Sequence, residues 1–406
     1  MSAGPHHAPG SAVGQGVCPN CGSGGMTEFY RVAGVPVHDV LLLTDREEAI
    51  NFPVGDIVLA YCRFCEFIGN IAFDPTLQQY GAGYEGTQAY SATFNSFHRK
   101  LAEQLVETYG LRHKDILEIG CGQGEFLNLL CQIGENRGVG FDPAYDFERT
   151  EFEPSKGATF IADFYSEEYA AHRADFVCCK QTLEHIHNTA EFVGMVRRSI
   201  GEQTDTRVFF QVPDVTRILM EQAFWDIFYE HCSYFCAASL VHVFQSSGFD
   251  AIQSRTEYDD QYLMIVARPG LGSSGRNDVA GTNSIAGEVA YFAEHCQTRI
   301  EAWQRAVSDM CRAGRRTVLW GGGSKAVSFL TTLKLTEEIE YVVDINPHKH
   351  GTFLPGTGHE VVGPDFLRDR RPDVVVVMNP IYTEEVRRQL DDLGIHPEFM
   401  PITSFA

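Results

Sequence analysis

Apolar residues along this chain follow two alternating rhythms. From residue 115 onward, short apolar runs suited to strands alternate with stretches of helical spacing. Strands are expected at 115–119, 137–142, 157–163, 174–179 and 206–212, with helices between them. Such alternation predicts a doubly wound α/β sheet. Upstream, Phe94, Phe97, Leu101, Leu105 and Val106 recur at helical steps and predict a helix over 93–109. Downstream, 239–247 reads as a helix with Ser239 as N-cap, and 262–267 as a late strand. The stretch R-P-G-L-G-S-S-G-R-N-D-V-A-G-T-N over 268–283 breaks the pattern and reads as a linker. A long helix is expected over 285–313, and the β-α rhythm then resumes with strands 317–320, 341–344 and 373–378.

Composition divides the chain further. At 406 residues, with 44% hydrophobic and 12% aromatic content, it can bury two or three cores. The formal charge of −22 argues against a nucleic-acid or anionic-membrane surface, which needs clustered Lys and Arg. No apolar run is long enough to span a membrane. Met1–Val17 is rich in Gly, Ala, Ser and His without a signal-peptide pattern, so it is read as a disordered leader of a cytoplasmic protein. Of twelve cysteines, Cys18-Pro-Asn-Cys21 and Cys62-Arg-Phe-Cys65 form two C-x-x-C knuckles. Four thiolates at that bite suit one structural Zn2+ with no open coordination position. The other eight read as small buried hydrophobes. The expected domains are a leader 1–17, a zinc-binding module 18–75, a central Rossmann-like domain 76–268, a linker 269–284, and a helix with a smaller Rossmann-like domain 285–406.

The run I-L-E-I-G-C-G-Q-G-E-F over 116–126 carries the chemistry. Gly120, Gly122 and Gly124 allow positive φ and close approach of backbone to a ligand. Glu118 precedes the turn, and Asp142 ends the next strand, where an acid takes ribose hydroxyls. Asp163 closes a third strand, where an adenine amino group can be held. The acid before the first glycine departs from the dinucleotide fingerprint G-x-G-x-x-G. This run resembles motif I of the class I S-adenosylmethionine (SAM) methyltransferases. The segment A-D-F-V-C-C-K-Q-T-L-E-H-I over 174–186 looks like that family's fourth strand and following loop, and it adds Gln181 to the cofactor-binding candidates.

Across nearly the whole chain after residue 17, the modules resemble the zinc-containing sugar C-methyltransferases. The paired knuckles, Y-E-H-C-S-Y-F over 229–235 and V-V-D-I-N-P-H-K-H-G-T-F-L-P-G-T over 342–357 carry that resemblance. It implies methyl transfer from SAM to a carbon beside a ketone of a nucleotide-linked deoxysugar. A base must then remove the α-proton while donors stabilise the enolate oxygen. The resemblance assigns His231 as base, Glu230 as its orienting partner, and His185 as a further active-site histidine, whereas His187 reads as structural. Tyr84 or Tyr90 would cover the site and hydrogen-bond the ketone. Lys325 and Lys349 would contact phosphate of the acceptor's carrier, with Asp344 a further substrate-binding candidate; the lesser reading is that the turn Gly321-Gly-Gly-Ser-Lys325, with Asp344 closing the next strand, holds NAD. Two departures are visible: Phe228 stands where the family has tyrosine, and Gly358-His359-Glu360 replaces an apolar run. The alternatives are SAM-dependent O- or N-methylation, a SAM-binding scaffold, and a dehydrogenase.

Overall fold

The computed structural model describes residues 16–78, 80–81, 83–148, 154–270 and 283–405. Nearly all of the expected leader, and linker positions 271–282, lie outside these residues. The central sheet has seven strands in the order Phe249–Glu257, Tyr262–Pro269, Arg207–Pro213, Phe176–Lys180, Asp115–Ile119, Arg137–Phe141, Ala158–Ile161. The last five are parallel, and Tyr262–Pro269 runs antiparallel to both of its neighbours. Ile116–Ile119 and Phe176–Lys180 are buried along their length, as central strands covered on both faces must be. After Asp115–Ile119 the chain builds outward on one side, then returns to build on the other. The resulting crevice lies beyond the carboxyl ends of these strands, where doubly wound sheets bind ligands.

Two local expectations are corrected. The strand Phe249–Glu257 was not anticipated, because an edge strand that alternates with Asp, Gln, Ser and Arg lacks an apolar run. The helix expected from Ser239 begins at Ala237 with Cys236 as N-cap. Ser239 is the third helical residue, and its Oγ accepts from Cys236 N at 3.0 Å.

The N-terminal module is a hairpin, Thr27–Pro36 with Val54–Tyr61, extended by Ile68–Asn70. Its fourth strand, Ser233–Tyr234, comes from the central domain and pairs as Ile68 with Tyr234 and Gly69 with Ser233. The C-terminal sheet is wholly parallel, in the order Val361–Val362, Tyr341–Val343, Thr317–Trp320, Val374–Val377, Glu398–Pro401. Helix Ala286–Arg312 buries Val289, Phe292, Cys296, Ile300, Trp303, Val307 and Met310, at three- and four-residue steps along one face. One continuous core then joins Val35 and Ile57 of the hairpin, Phe224 and Trp225, this helix, and Leu319 of the C-terminal sheet. Among the described residues no helix is long and apolar enough to cross a membrane.

Trp303 is fully buried within that core. It packs edge-on against Phe329 and Phe405 and donates Nε1–H to the Ile402 carbonyl at 3.2 Å. Trp303→Ala should lower the unfolding free energy by about 3–5 kcal/mol, measured by urea denaturation. A loss below about 1 kcal/mol would mean that the long helix does not hold the domains together.

Candidate active site

The glycine turn after Asp115–Ile119 is built for close approach. Gly120, Gly122 and Gly124 all have positive φ, and Gly124 caps helix Glu125–Gly134. A Cβ on Gly120 would fall 2.0 Å from Thr182 Oγ1. Asp142 closes the adjacent strand: its Oδ2 accepts from Gly122 N and its Oδ1 from Ala144 N, both at 2.8 Å. Burial raises the Asp142 acid, and those two N–H groups oppose the rise. Glu118 is fully buried, its Oε2 has no hydrogen-bond partner, and burial pushes its acid up to about 8 against the opposing charge of Lys180. Lys180 Nζ lies 2.8 Å from His98 Nε2 and 3.9 Å over the Phe126 ring. Gln181, held at φ 50°, likewise has a buried Nε2 without a partner. Unmatched carboxylate and amide groups beside bare backbone fit a ligand that carries its own ammonium, carboxylate and ribose. Asp163 sits exposed at the rim and accepts from Tyr169 OH at 2.5 Å.

Across the same cavity of about 580 Å³ stand His185, Glu230 and His231. Glu230 is 2% exposed: His38 Nδ1 lies 3.0 Å from its Oε1, which also accepts from Asp39 N at 2.9 Å, and Tyr84 OH donates to its Oε2 at 2.9 Å. Burial alone would raise this acid, but His38, His185 and the Asp39 N–H bring it below its ordinary range. Glu230, expected to orient His231, bonds instead to His38, Asp39 N and Tyr84 and not to the imidazole. The two neighbours diverge, and His231 faces His185 at 4.8 Å and Phe228 at 4.7 Å between ring centres. Burial, reinforced by His185, holds the His231 imidazole well below its ordinary range, and its Nδ1 has no partner. Tyr80 OH is 2.9 Å from His185 Nδ1. Burial and the Glu230 charge keep the Tyr84 phenol well above its ordinary range, so it stays protonated.

Other expected positions fall differently. Tyr90 lines the cavity at the C-terminal domain, its ring 6.1 Å from His348. Lys325 pairs with Asp226, and Lys349 with Asp344 at 3.5 Å and the Gly322 carbonyl at 3.1 Å. Both lysines line the cavity, yet each is already engaged by an internal acid, because buried ammonium groups need partners. Asp344 Oδ2 also accepts from Gly322 N at 2.8 Å. His187 packs against Phe73 at 5.9 Å. Away from the cavity, Cys18 Sγ and Cys65 Sγ are 3.6 Å apart, and Cys21 Sγ and Cys62 Sγ 3.7 Å. Sequence reasoning missed His38, Tyr80, Lys180 and Glu184. The first reaches the site from the N-terminal module, which no local pattern announces, and Glu184 was passed over for the histidine beside it.

Two family models match this chain: a methyltransferase domain over residues 93–254 and a C-methyltransferase C-terminal domain over 278–396. A similar curated protein is C-methyltransferase NovU of Streptomyces niveus, 27% identical over 307 residues, or 71% of this chain and 72% of that one. Solved structures to which the chain is similar include the SAH-bound magnesium protoporphyrin IX methyltransferase ChlM of Synechocystis PCC 6803, at 14% identity, 44% of this chain, 84% of that chain and TM-score 0.35. PH0226 of Pyrococcus horikoshii OT3 gives 17%, 45%, 94% and 0.36 in the same order. The chain is a SAM-dependent methyltransferase. Its two Rossmann-like domains are thus similar to a methyltransferase domain and to a C-methyltransferase C-terminal domain, in that order.

Gly120→Ala places a side chain against Thr182 at a left-handed φ. It should weaken SAM binding at least tenfold, about 1.4 kcal/mol, by isothermal calorimetry. Unchanged affinity would separate this turn from the cofactor.

Proposed function

We propose that the enzyme transfers the methyl group of SAM to the carbon beside a ketone of a nucleotide-linked deoxysugar or a related small molecule. The observation that carries this reading is that a single cavity is lined by the glycine turn and Asp142 and also by His185, Glu230 and His231. In this reading Asp142 takes the ribose hydroxyls and Asp163 the adenine edge, while Glu118 and Gln181 meet the amino-acid end. SAM supplies an electrophilic methyl group, so the protein has to place the acceptor and make its carbon nucleophilic.

His231 is the base. Its imidazole is held neutral by burial, so it has a lone pair to offer at neutral pH. The enolate oxygen needs a donor, and Phe228 offers none. Tyr80, which lines the cavity and is kept protonated by burial, takes that place by turning its O–H from Gln78, whereas the single O–H of Tyr84 is already given to Glu230 Oε2. Glu230 acts as the anchor that holds Tyr84 and His38, and not as the orienting partner of His231. Tyr90, Lys325, Asp344 and Lys349 form the wall nearest the C-terminal domain, where the acceptor's carrier would lie. We further infer that the four cysteines hold a structural zinc. The sulfur separations of 3.6 and 3.7 Å match the edge of a tetrahedron with Zn–S bonds of about 2.3 Å.

Incubation with methyl-labelled SAM and a panel of nucleotide-linked keto-deoxysugars should give product labelled on carbon, with loss of deuterium from the α position. Labelled product that retains α-deuterium would exclude carbon methylation. His231→Ala should reduce turnover by roughly a hundredfold to ten-thousandfold while leaving SAM affinity within about threefold, a change under 1 kcal/mol. Metal analysis should return close to one zinc per chain, and Cys65→Ser should lower both zinc content and the midpoint of thermal unfolding. Full stability without metal would refute the zinc assignment.

A further inference from the structure

Glu184 is the one carboxyl group in the reaction cavity, among the described residues, with both oxygens buried and without a hydrogen-bond partner. Its residue is 1% exposed, on the short 3-10 turn Leu183–His185 that follows strand Phe176–Lys180. One of its oxygens, a ring nitrogen of His185 and a ring nitrogen of His231 all lie within 4.8 Å of one another. One bridging water or one side-chain rotation closes such a gap. An acid buried without a partner is destabilising, so its presence here calls for a state of the protein in which it is paired.

Each side of Glu184 is accounted for. His185 neighbours it on its own turn, and His231 faces it from the segment before strand Ser233–Tyr234. The ionisable groups that feel its charge are Tyr80 from the loop, Cys179 from strand Phe176–Lys180, Cys232, and Tyr262 from strand Tyr262–Pro269. None of them is a lysine or arginine. Without a fixed cation nearby, burial pushes the acid up to about 8, opposed only by its own backbone N–H. It is therefore largely protonated at neutral pH until a cation enters the cavity.

SAM is such a cation. We propose that Glu184 is the counter-ion of the SAM sulfonium and the final acceptor of the proton that carbon methylation releases; this rests on the carbon-methylation reading only for its second half. The step balances within the cavity. At the start the sulfonium is positive, Glu184 is a carboxylate, and His231 and the acceptor are neutral. The α C–H bond breaks and its proton passes to His231. The electron pair left on carbon forms the new C–CH3 bond as the S–CH3 bond breaks, its electrons remaining on sulfur. His231 hands its proton to Glu184. At the end a thioether, a carboxylic acid and a neutral imidazole remain, so the buried site never holds an unbalanced charge. Glu184 is thus a positioning and proton-accepting residue that acts through His231.

The two halves are tested separately. SAM and its product S-adenosylhomocysteine share the amino-acid, ribose and adenine parts, so a response of Glu118 or Asp142 appears with both ligands, and only the sulfonium distinguishes them. Calorimetric titration of the zinc-loaded enzyme at pH 7, in two buffers of different ionisation enthalpy, should show more proton release with SAM than with S-adenosylhomocysteine. SAM affinity should rise with pH up to about 8, because a protonated Glu184 must lose its proton to pair with the sulfonium. Glu184→Gln keeps the shape and should abolish the extra proton release. It should also lower the SAM-to-S-adenosylhomocysteine affinity ratio about tenfold, the equivalent of one pKa unit. Glu184→Asp should restore part of both. Equal proton release by the two ligands, or an unchanged ratio in Glu184→Gln, overturns the counter-ion role whatever the acceptor proves to be. If the counter-ion result holds, turnover of Glu184→Gln with an acceptor tests the relay. A rate and pH profile equal to those of the parent enzyme would remove Glu184 from the proton path without touching His231.

Discussion

The arrangement of the active cleft depends on one buried carboxylate. Glu230 is removed from water, and such a charge is tolerated only where donors surround it. Those donors come from distant parts of the chain: His38 and Asp39 N from the N-terminal module, and Tyr84 from the loop ahead of helix Ala92–Tyr109. Satisfying this one group brings three segments to the same point. The adjacent residues Ser233 and Tyr234 complete the attachment by joining the N-terminal sheet. The paired cysteine knuckles, Cys18 with Cys21 and Cys62 with Cys65, gather into one cluster outside the lining of the cavity.

The chain contains the same device twice, with opposite outcomes. In the central domain the backbone of Gly122 binds Asp142 at 2.8 Å, and in the C-terminal domain the backbone of Gly322 binds Asp344 at 2.8 Å. Both are glycine turns at the end of a first strand, facing the acid that ends the next. The difference is Lys349, which reaches back to Asp344 and to the Gly322 carbonyl. The second crevice is thus neutralised by the protein's own ammonium, whereas the first keeps unmatched polar groups at Glu118 and Gln181. A common fold thus lines one cavity with unmatched polar groups from one domain and with an acid already paired from the other.

Much of this was legible in the sequence, for a physical reason. A glycine turn after a buried strand is a local constraint, as is a pair of C-x-x-C knuckles, and each leaves its mark in consecutive residues. The parallel strands were legible because strands buried on both faces are apolar throughout. What escaped depends on distance along the chain. His38 lies far from Glu230 in sequence, and only the folded hairpin brings them to 3.0 Å. The edge strand Phe249–Glu257 escaped because its polar alternation suits a strand exposed on one side. The adjacency of Glu230 and His231 was misleading, since chain neighbours diverge from one another. Glu184, beside the more conspicuous His185, gave no sign of its unmatched burial.

The short strand Ser233–Tyr234 bears on how such a protein can change. A module that owns all its strands can be exchanged between relatives as a cassette, cut at its linkers. Here the N-terminal sheet borrows its last strand from the segment that also carries Glu230 and His231. A recombination event that replaced residues 18–75 alone would separate that sheet from its edge and Glu230 from His38. Inheritance of the cysteine-bearing end is therefore tied to inheritance of Glu230 and His231, although most of the central domain lies between them in sequence.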